Sequence, residues 1–325
     1  MAIKYKSLVV QSIIGILFLF IWLQFVDLNE ILKYAKDVNI SLLPIVFSFY
    51  IFAYIVRSYR WKILLEFINN IPWREIFPIY FIGLFANYII PLRIGEIVKS
   101  VLLKDKYNVQ ISKTFPIVVI DKIFDFFGYL LIVLVILFVG QISTSIFLDV
   151  ILLSSILILL FLAFVFIYYI KKDTLLRLVK KIISIFVPDR YKNKSFDVVA
   201  NLMDGVSLIR QSPTSILIAI SLSIFAVIID GTYVYLLFSA MRYPVTFYIA
   251  ILGYSLIGLA YIIPSPPAQI GINEIFWFIV FVSGLGLLNN KIAAITIFAH
   301  ISTGLIISFI GMFMLWYKYR RLIKI

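Results

Sequence analysis

Two ionisable residues stand beside a proline and a glycine at the end of a strongly apolar run. The four residues are Pro91, Arg93, Gly95 and Glu96, and the apolar run before them covers 77–90. A charged side chain that faces lipid is costly, and proline breaks an ordinary helix. A helix broken inside a membrane exposes backbone groups and positions charges, which is how transporters form substrate sites. The stretch therefore predicts one half of such a site.

Acidic residues follow inside the next apolar run, 114–139. Asp121 and Asp125 are four residues apart and so lie on one face of a helix, with Lys122 between them. At the helical rise, Asp125 lies about 16 Å in from the start of the run. Ionisable residues at that depth are functional by default, so this helix is expected to contribute to the same site.

A second interruption, at 264–274, resembles the first. It begins at Pro264, contains Pro267 and Gly271, and ends at Glu274. In both cases Tyr-Ile-Ile directly precedes the first proline, and an Ile-Gly pair follows it. Interrupted apolar segments at corresponding places in two halves of a chain point to the central site of a transporter.

The residue types suit a charged substrate that is bound inside the membrane. We expect Arg93 to pair with an anionic group and the carboxylates to take cationic groups, hydroxyl groups or a coupling proton. The predicted substrate-binding residues are Asn87, Arg93, Glu96, Lys99, Asp121, Lys122, Asp125, Gln269, Asn273 and Glu274. The predicted positions of the breaks are Pro91, Gly95, Pro264, Pro267 and Gly271.

Each assignment has a structural alternative. Arg93 and Glu96 could pair with each other, or with Asp125, and only hold the segment together. The amides Asn87, Gln269 and Asn273 either line the cavity or cap the helix ends that the prolines free. Asp230 is either a proton site or a hydrogen-bonding partner of a neighbouring helix, and His300 is expected to be a core residue and not a switch.

The composition indicates an all-α, polytopic membrane protein. Of the 325 residues, 63% are hydrophobic and only 14% are charged, which is too few for the surface of a soluble enzyme of this length. The mean hydropathy is +1.08. Several apolar runs exceed the 18 or so residues that mark a membrane-spanning helix. The absence of cysteine and the single histidine exclude disulfides and Cys- or His-rich metal sites.

The net charge of +13 is concentrated in a few connecting segments, which indicates anionic lipid headgroups as partners and argues against nucleic acid. The segment 171–212 holds nine Lys or Arg residues against four Asp, and two apolar faces at helical spacing predict amphipathic helices there. The positive-inside rule places this segment and both termini in the cytoplasm.

We expect about six full spans and two broken or re-entrant helix pairs, or eight spans if the second pair crosses fully. After the first span, 27–39 is predicted to form a short interfacial helix. The next span, 42–56, is predicted to end in Arg57 and Arg60 at the headgroup layer. The predicted divisions are an N-terminal half 1–170 with a broken hairpin at 77–104, the interfacial segment 171–212, and a C-terminal half 213–325 with the break at 264–274.

Taken together, these motifs resemble a known family. The pattern runs from Asn87 through Pro91, Arg93 and Glu96, then through Asp121-Lys122 and Asp125, and then from Pro264 to Glu274. It is similar to the flippase-like membrane family that includes the transmembrane part of lysylphosphatidylglycerol synthase, the multiple peptide resistance factor. The resemblance covers nearly the whole chain and implies movement of a lipid, often aminoacylated or glycosylated, between leaflets.

The chain also departs from that family. The family usually has Arg at the positions of Lys99 and Lys122, Glu at the position of Asp121, and two glycines at Ala268 and Gln269. Lysine keeps the charge of arginine but lacks the two-pronged geometry that suits phosphate. Residues 1–325 contain no counterpart of the soluble aminoacyl-transfer domain of the full synthase, so the resemblance is not expected to extend to lipid synthesis.

The leading hypothesis is a lipid flippase of the plasma membrane that is not an enzyme and needs no cofactor or metal. No glycine-rich P-loop is present, so an ion gradient or the lipid gradient would supply the energy. The substrate would be an anionic, glycosylated or aminoacylated phospholipid or a polyprenyl-phosphate-linked lipid, and a homo-oligomer stays open. The alternatives are a membrane enzyme with Glu96 or Asp125 as its base, and a transporter of small solutes or ions.

Overall fold

The computed structural model describes residues 5–90, 94–139, 212–261 and 265–319, together with Ile156 and scattered positions between 177 and 196. All regular structure in these ranges is helical, as predicted. The α-helices are α1 Tyr5–Leu23, α2 Leu28–Lys36, α3 Leu43–Leu65, α4 Trp73–Ile89, α5 Gly95–Tyr107, α6 Ile111–Val139, α7 Pro213–Ala240, α8 Phe247–Ala260, α9 Ile272–Trp277 and α10 Asn289–Tyr319. Short 3₁₀ turns cover Ile40–Leu42 and Pro267–Gln269, and a π-helical segment covers Phe278–Gly284.

Within the described ranges, five helical stretches are long and apolar enough to cross a membrane, at 40–65, 111–139, 213–240, 267–284 and 289–318. The bent pair 12–23 and 28–36 makes six if it counts as one span. Its helices meet at 87°, as a membrane span and an interfacial helix would. The chain is therefore a multi-pass membrane protein.

The first break is a re-entrant hairpin formed by α4 and α5. Its two outer ends meet at Glu75 in α4, which pairs with Lys106 and accepts a hydrogen bond from the Tyr107 hydroxyl of α5. Lys318, at the end of α10, also reaches the Glu75 carboxylate, at 2.7 Å. Both arms therefore begin and end at the same end of the bundle. With 13 residues, α5 is about 20 Å long, too short to cross a hydrocarbon core of about 30 Å.

The second break is a hairpin that enters from the opposite end. Just before α8, the Tyr243 hydroxyl accepts a hydrogen bond from the backbone of Leu288, just after the π-helical segment, at 3.1 Å. Nearby, Asn290 at the start of α10 accepts a hydrogen bond from the Asp27 backbone at 3.1 Å. The helix α8 has 14 residues and is about 21 Å long, so it ends inside the membrane.

The tip of the second hairpin lies at the middle of α1. A methyl group on Gly271 would collide with the backbone carbonyl of Gly15, and Pro266 packs against the same glycine. Three residues between 268 and 271 have positive φ, namely Ala268 at 52°, Gln269 at 59° and Gly271 at 81°. The stretch 267–284 is therefore bent at its start and not one straight span, so α8 and α9 form a second re-entrant pair.

The order of elements is the same in both halves with opposite orientation. A long helix, a hairpin and a second long helix follow one another as α3, α4–α5 and α6, and again as α7, α8–α9 and α10. The first hairpin opens at the end of the bundle that holds Glu75, and the second opens at the other end. This is an inverted-topology repeat, an architecture that places a site between two broken elements near the bilayer midplane.

The structure corrects the prediction for the second span. The helix α3 continues to Leu65 instead of ending near Val56, and Arg57 and Arg60 are buried at 4% and 0% exposure instead of facing headgroups. Three residues predicted for the site or its breaks, Pro91, Arg93 and Pro264, lie outside the described residues. So do the predicted connector and span across 140–170 and most of the amphipathic segment 171–212.

Candidate functional site

A cavity of about 360 Å³ lies between the two breaks. Asn87 and Glu96 of the first hairpin form one wall, and Gln269 and Asn273 of the second form another. His300, near the middle of α10, also lines it. The broken elements of both halves therefore face one polar cavity inside an apolar bundle.

The guanidinium of Arg57 enters this cavity from α3. It donates to Asp125 of α6 at 3.0 Å and to both carboxylate oxygens of Asp230 of α7, at 3.2 and 2.5 Å. The Tyr129 hydroxyl accepts from Arg57 at 2.9 Å and donates to Asp230 at 2.9 Å. One arginine thus links three helices through charge-assisted hydrogen bonds, which are the strong kind in a low-dielectric interior.

Arg60, one turn further along α3, is fully buried behind the cavity. Its guanidinium pairs with Asp121 at 2.8 Å and with Asp125 at 2.9 Å, and it donates to the Ser223 hydroxyl of α7 at 2.8 Å. It also donates to the backbone carbonyl of Asp121 at 3.0 Å. Because Asp125 accepts from both arginines, the two ion-pair clusters are joined.

The tip of the first hairpin is bound to the same cluster through Glu96. Lys99 pairs with Glu96 at 2.5 Å, and Lys122 lies 3.3 Å from Glu96 and 3.6 Å from Asp125. The Asn87 amide donates to Glu96 at 3.1 Å and accepts from the Gly95 backbone at 2.7 Å. Asn87 therefore caps α5 and lines the cavity at once.

Four cations and four carboxylates form one continuous network in the described part of the chain. Its members are Arg57, Arg60, Lys99, Lys122, Glu96, Asp121, Asp125 and Asp230. Burying an isolated charge is very costly, whereas a buried charge that is paired and hydrogen-bonded is tolerated. The equal numbers explain how so many ionised groups stay inside an apolar bundle.

The second hairpin is held by a different set of contacts. Glu274 accepts from the Gly271 backbone at 2.7 Å through one oxygen, and its other oxygen lies 2.5 Å from Nδ1 of His300. Nε2 of His300 lies 2.5 Å from the Ala268 carbonyl oxygen. The single histidine of the chain thus connects α10 to both sides of the second break.

Tyrosines line much of the remaining surface. Eight of the lining side chains are tyrosines, contributed by α3, α4, α6, α7 and α8 and by the residue that follows α8. The Tyr261 hydroxyl donates to Asn273 at 2.5 Å, and the Arg57 guanidinium lies over the ring of Tyr54 at 5.7 Å. Such rings offer flat apolar faces together with hydroxyl groups, so the cavity can contact both parts of an amphipathic headgroup.

Two glycines allow close backbone approach at the breaks. A methyl group on Gly95 would collide with the Gly83 carbonyl of the facing helix α4, and one on Gly271 would collide with Gly15. Both predicted break glycines therefore act through the backbone. No group of three or more His, Cys, Asp or Glu side chains among the described residues is arranged to hold a metal ion.

The chain is similar to known membrane proteins along most of its length. Residues 7–311 match the model of a family described as the lysylphosphatidylglycerol synthase TM region. The chain belongs to this family. A UPF0104 membrane protein of Methanocaldococcus jannaschii is 22% identical over 305 residues, which cover 91% of this chain and 90% of that protein. No solved structure matches the chain.

The residues that the motifs singled out fall into three groups in this family member. Six of them line the cavity, namely Asn87, Glu96, Lys122, Asp125, Gln269 and Asn273. Lys99, Asp121 and Glu274 are buried behind the lining residues and hold them in place. Lys99 lies between the rings of Trp61 and Tyr80, 4.8 and 4.7 Å from their centroids. Arg93 lies outside the described residues.

Sequence reasoning missed the two arginines at the centre of the network. The sequence predicts Arg57 and Arg60 at the headgroup layer, because a basic and aromatic cluster is typical of a span terminus. A signal against that assignment was present, because the apolar residues Ile63, Leu64 and Leu65 continue the helix beyond them. Their i,i+3 spacing also matches a pair of carboxylates four residues apart on a neighbouring helix.

Proposed function

We propose that this protein moves a polar lipid between the leaflets of the cell membrane without ATP hydrolysis of its own. The observation that carries the proposal is one polar cavity lined by both broken hairpins inside an apolar bundle. Its volume is near the lower end of ligand pockets, which run from about 300 to 1,000 Å³. The cavity would hold a headgroup while the tails stay in the surrounding hydrocarbon.

The arrangement of charges supports a phosphate-containing headgroup. Lys122 is the most accessible cation of the network, with 44% of its side chain exposed, and its two carboxylate contacts, at 3.3 and 3.6 Å, are longer than those of the arginines. A phosphate that enters the cavity would replace these carboxylates as the partner of Lys122. The ion pairs of the arginines would stay intact. The released Glu96 or Asp125 would then meet a cationic or hydroxyl part of the headgroup.

The family supports the same conclusion from another direction. Its description is that of the membrane region of a lipid-modifying synthase, and the match extends over nearly the whole chain. We place the protein in the plasma membrane with both termini in the cytoplasm, because the basic C-terminal end follows the positive-inside rule. The end of the bundle that holds Glu75 and Lys318 would then face the cytoplasm.

The decisive experiment measures lipid translocation in proteoliposomes. An anionic phospholipid with a fluorescent acyl chain and an intact headgroup is placed in both leaflets, and a membrane-impermeant quencher reports how fast the inner pool becomes accessible. Replacing Lys122 by Gln is expected to slow translocation about tenfold or more, since one charge-assisted hydrogen bond contributes about 1.5–3 kcal/mol.

Lys104 provides a matched control, because it is an exposed lysine on α5 that does not line the cavity. The variant K104Q should translocate the lipid at the wild-type rate. If K122Q also does so, the cavity is not the path of the headgroup. Equal quenching in protein-free vesicles and in vesicles with wild-type protein would contradict lipid translocation altogether.

A further inference from the structure

The hydrogen-bond contacts of the His300 ring require one proton more than a neutral imidazole and a carboxylate carry together. Nε2 of its ring lies 2.5 Å from the carbonyl oxygen of Ala268, which can only accept a hydrogen bond, so Nε2 carries a hydrogen. A neutral imidazole has only one such hydrogen. Nδ1 would then present a lone pair to whatever it faces.

What Nδ1 faces is the Glu274 carboxylate, at 2.5 Å. The other oxygen of this carboxylate accepts a hydrogen bond from the backbone N–H of Gly271, which fixes the orientation of the Glu274 carboxylate. Two lone pairs cannot face each other at hydrogen-bond distance. One extra proton therefore lies between Nδ1 and the carboxylate, either as an imidazolium beside a carboxylate or as an imidazole beside a carboxylic acid.

The surroundings allow this proton to enter and leave. His300 lines the cavity with 13% of its side chain exposed, whereas Glu274 is 6% exposed and sits behind it. The permanent cations on the cavity wall, Arg57 and Lys122, are bound to other carboxylates and do not reach Glu274. Histidine is thus the cation-forming partner of this carboxylate in the described part of the chain.

Other titratable groups near the pair are few among the described residues. The helix α4 contributes Tyr88, whose ring lies edge-on to the imidazole with 6.3 Å between the centroids. Tyr50 of α3 and Tyr261 after α8 line the cavity further away, and the 3₁₀ turn contributes the Ala268 carbonyl. Phenols are neutral at ordinary pH, so the charge of this region changes at His300 and Glu274.

We propose that His300 and Glu274 form a proton-binding pair that controls how the second hairpin is held against α10. When one proton passes from cavity water to the pair, both ring nitrogens have hydrogen-bonded partners and α10 is connected to both sides of the break. When the proton leaves, Nδ1 and the carboxylate repel each other and this connection opens. The coupling of this proton to lipid movement rests on the proposed function.

The single histidine makes the pair directly observable. Protein labelled with ¹⁵N-histidine and placed in nanodiscs gives the signals of one imidazole, whose shifts report the proton on each nitrogen. The spectra are recorded between about pH 5 and 9, the range that brackets histidine titration. The wild type is expected to show Nε2 protonated and Nδ1 either protonated or hydrogen-bonded to a carboxyl proton over part or all of that range.

The variant E274Q is the informative comparison. Its amide can accept from Gly271 and donate to Nδ1, so it keeps both contacts without the extra proton. We expect a neutral ring with its hydrogen on Nε2 throughout the range. The proposal is overturned if the wild-type spectrum equals that of E274Q, or if E274Q gains a proton at Nδ1 as the wild type does. The variant E75Q, a Glu-to-Gln change at the end of the bundle, should leave the wild-type histidine spectrum unchanged.

A transport measurement separates this proposal from the proposed function. Lipid translocation by the wild type is expected to change several-fold when a pH gradient is imposed, and whatever rate E274Q retains should be the same with and without the gradient. Wild-type translocation that is indifferent to the gradient would overturn the coupling and leave the flippase intact. A proton seen by NMR in a protein that moves no lipid would overturn the flippase and leave the proton pair standing.

Discussion

The two hairpins differ in how they are held, although they occupy equivalent positions in an inverted repeat. The tip of the first is fixed by Glu96 to lysines and, through Asp125, to two buried arginines that stay charged at any physiological pH. At the tip of the second, which packs against α1, the ionisable contact is the pair of one histidine and one glutamate. The ion pairs at the first tip therefore keep their charges at physiological pH, whereas the histidine–glutamate contact at the second opens when it loses a proton.

The contacts at the outer ends of the two hairpins also differ. The first hairpin is closed by Glu75, which has two lysines and a tyrosine as partners from α5 and α10. At the second, Tyr243 accepts a hydrogen bond from the Leu288 backbone, and the Lys291 ammonium lies 4.9 Å from the centre of its ring. The first outer end therefore has ion pairs to a carboxylate, whereas the second has a hydrogen bond and a cation–π contact, and we expect the second hairpin to be the more mobile of the two.

The largest loss of stability is expected when the buried arginine behind the first hairpin is replaced. Replacing Arg60 by Met leaves Asp121 without its cation in a fully buried place, and breaking such a pair costs about 3–5 kcal/mol. Unfolding in detergent, followed by heat or by SDS titration, should show a loss of this size.

The matched control lies on the same helix. Lys62 pairs with the more exposed Glu66, so K62M should cost no more than about 0.5 kcal/mol. Comparable losses for R60M and K62M would mean that the buried network does not hold the first hairpin.

The glycines at the two breaks test how tightly each tip is packed. Replacing Gly95 by Ala forces a methyl group against the Gly83 carbonyl, and such overpacking costs about 1–3 kcal/mol. Replacing Gly271 by Ala should cost more, because its φ of 81° adds backbone strain of about 1–3 kcal/mol to the collision with Gly15. The unfolding midpoints of purified variants measure both.

A substitution at Gly286 separates the cost of backbone strain from the cost of the steric collision. It has a φ of 69°, but a methyl group added there would have nothing within 4 Å, so G286A should show the backbone cost alone. If G271A is no less stable than G286A, the second tip is not packed tightly against α1.

The smallest expected effect is at the outer end of the first hairpin. Hydrogen bonds from Lys106, Lys318 and Tyr107 lower the pKa of Glu75 to about 2. The stabilisation is present above the unfolded pKa of about 4.3 and is lost as the pH falls toward 2. Since 35% of the Glu75 side chain is exposed, we expect it to be below about 1 kcal/mol.

The variant E75Q should flatten the pH dependence of stability between about pH 5 and 2, the window set by these two pKa values. A curve for E75Q that falls as steeply as that of the wild type would show that other carboxylates dominate there. Glu75 would then not be what closes the first hairpin.

The amino-acid sequence predicted the class of protein and the location of both breaks. Apolar runs longer than 18 residues leave no soluble alternative, and proline with charged neighbours inside such runs has few structural explanations. The helix Ile111–Val139 begins three residues before the predicted run 114–139 and ends at the same residue for the same reason. The sequence also predicted Asn87, Glu96 and Asn273, because amides and carboxylates at a break are unusual.

The tertiary structure alone decided which charges meet. Arg57 lies 173 residues from Asp230 along the chain. No local sequence pattern predicts that α3 packs along α7 and brings these two residues together. The same holds for His300 and Glu274. Their shared proton is inferred from the distances of the two ring nitrogens to Glu274 and to the Ala268 carbonyl, and the sequence gives neither distance. Pairing inside a membrane depends on helix packing and on the cost of unpaired charge, and both are properties of the folded bundle. What the sequence determines is that charges lie at membrane depth, whereas the fold determines which of them are permanently paired and which pair can release a proton.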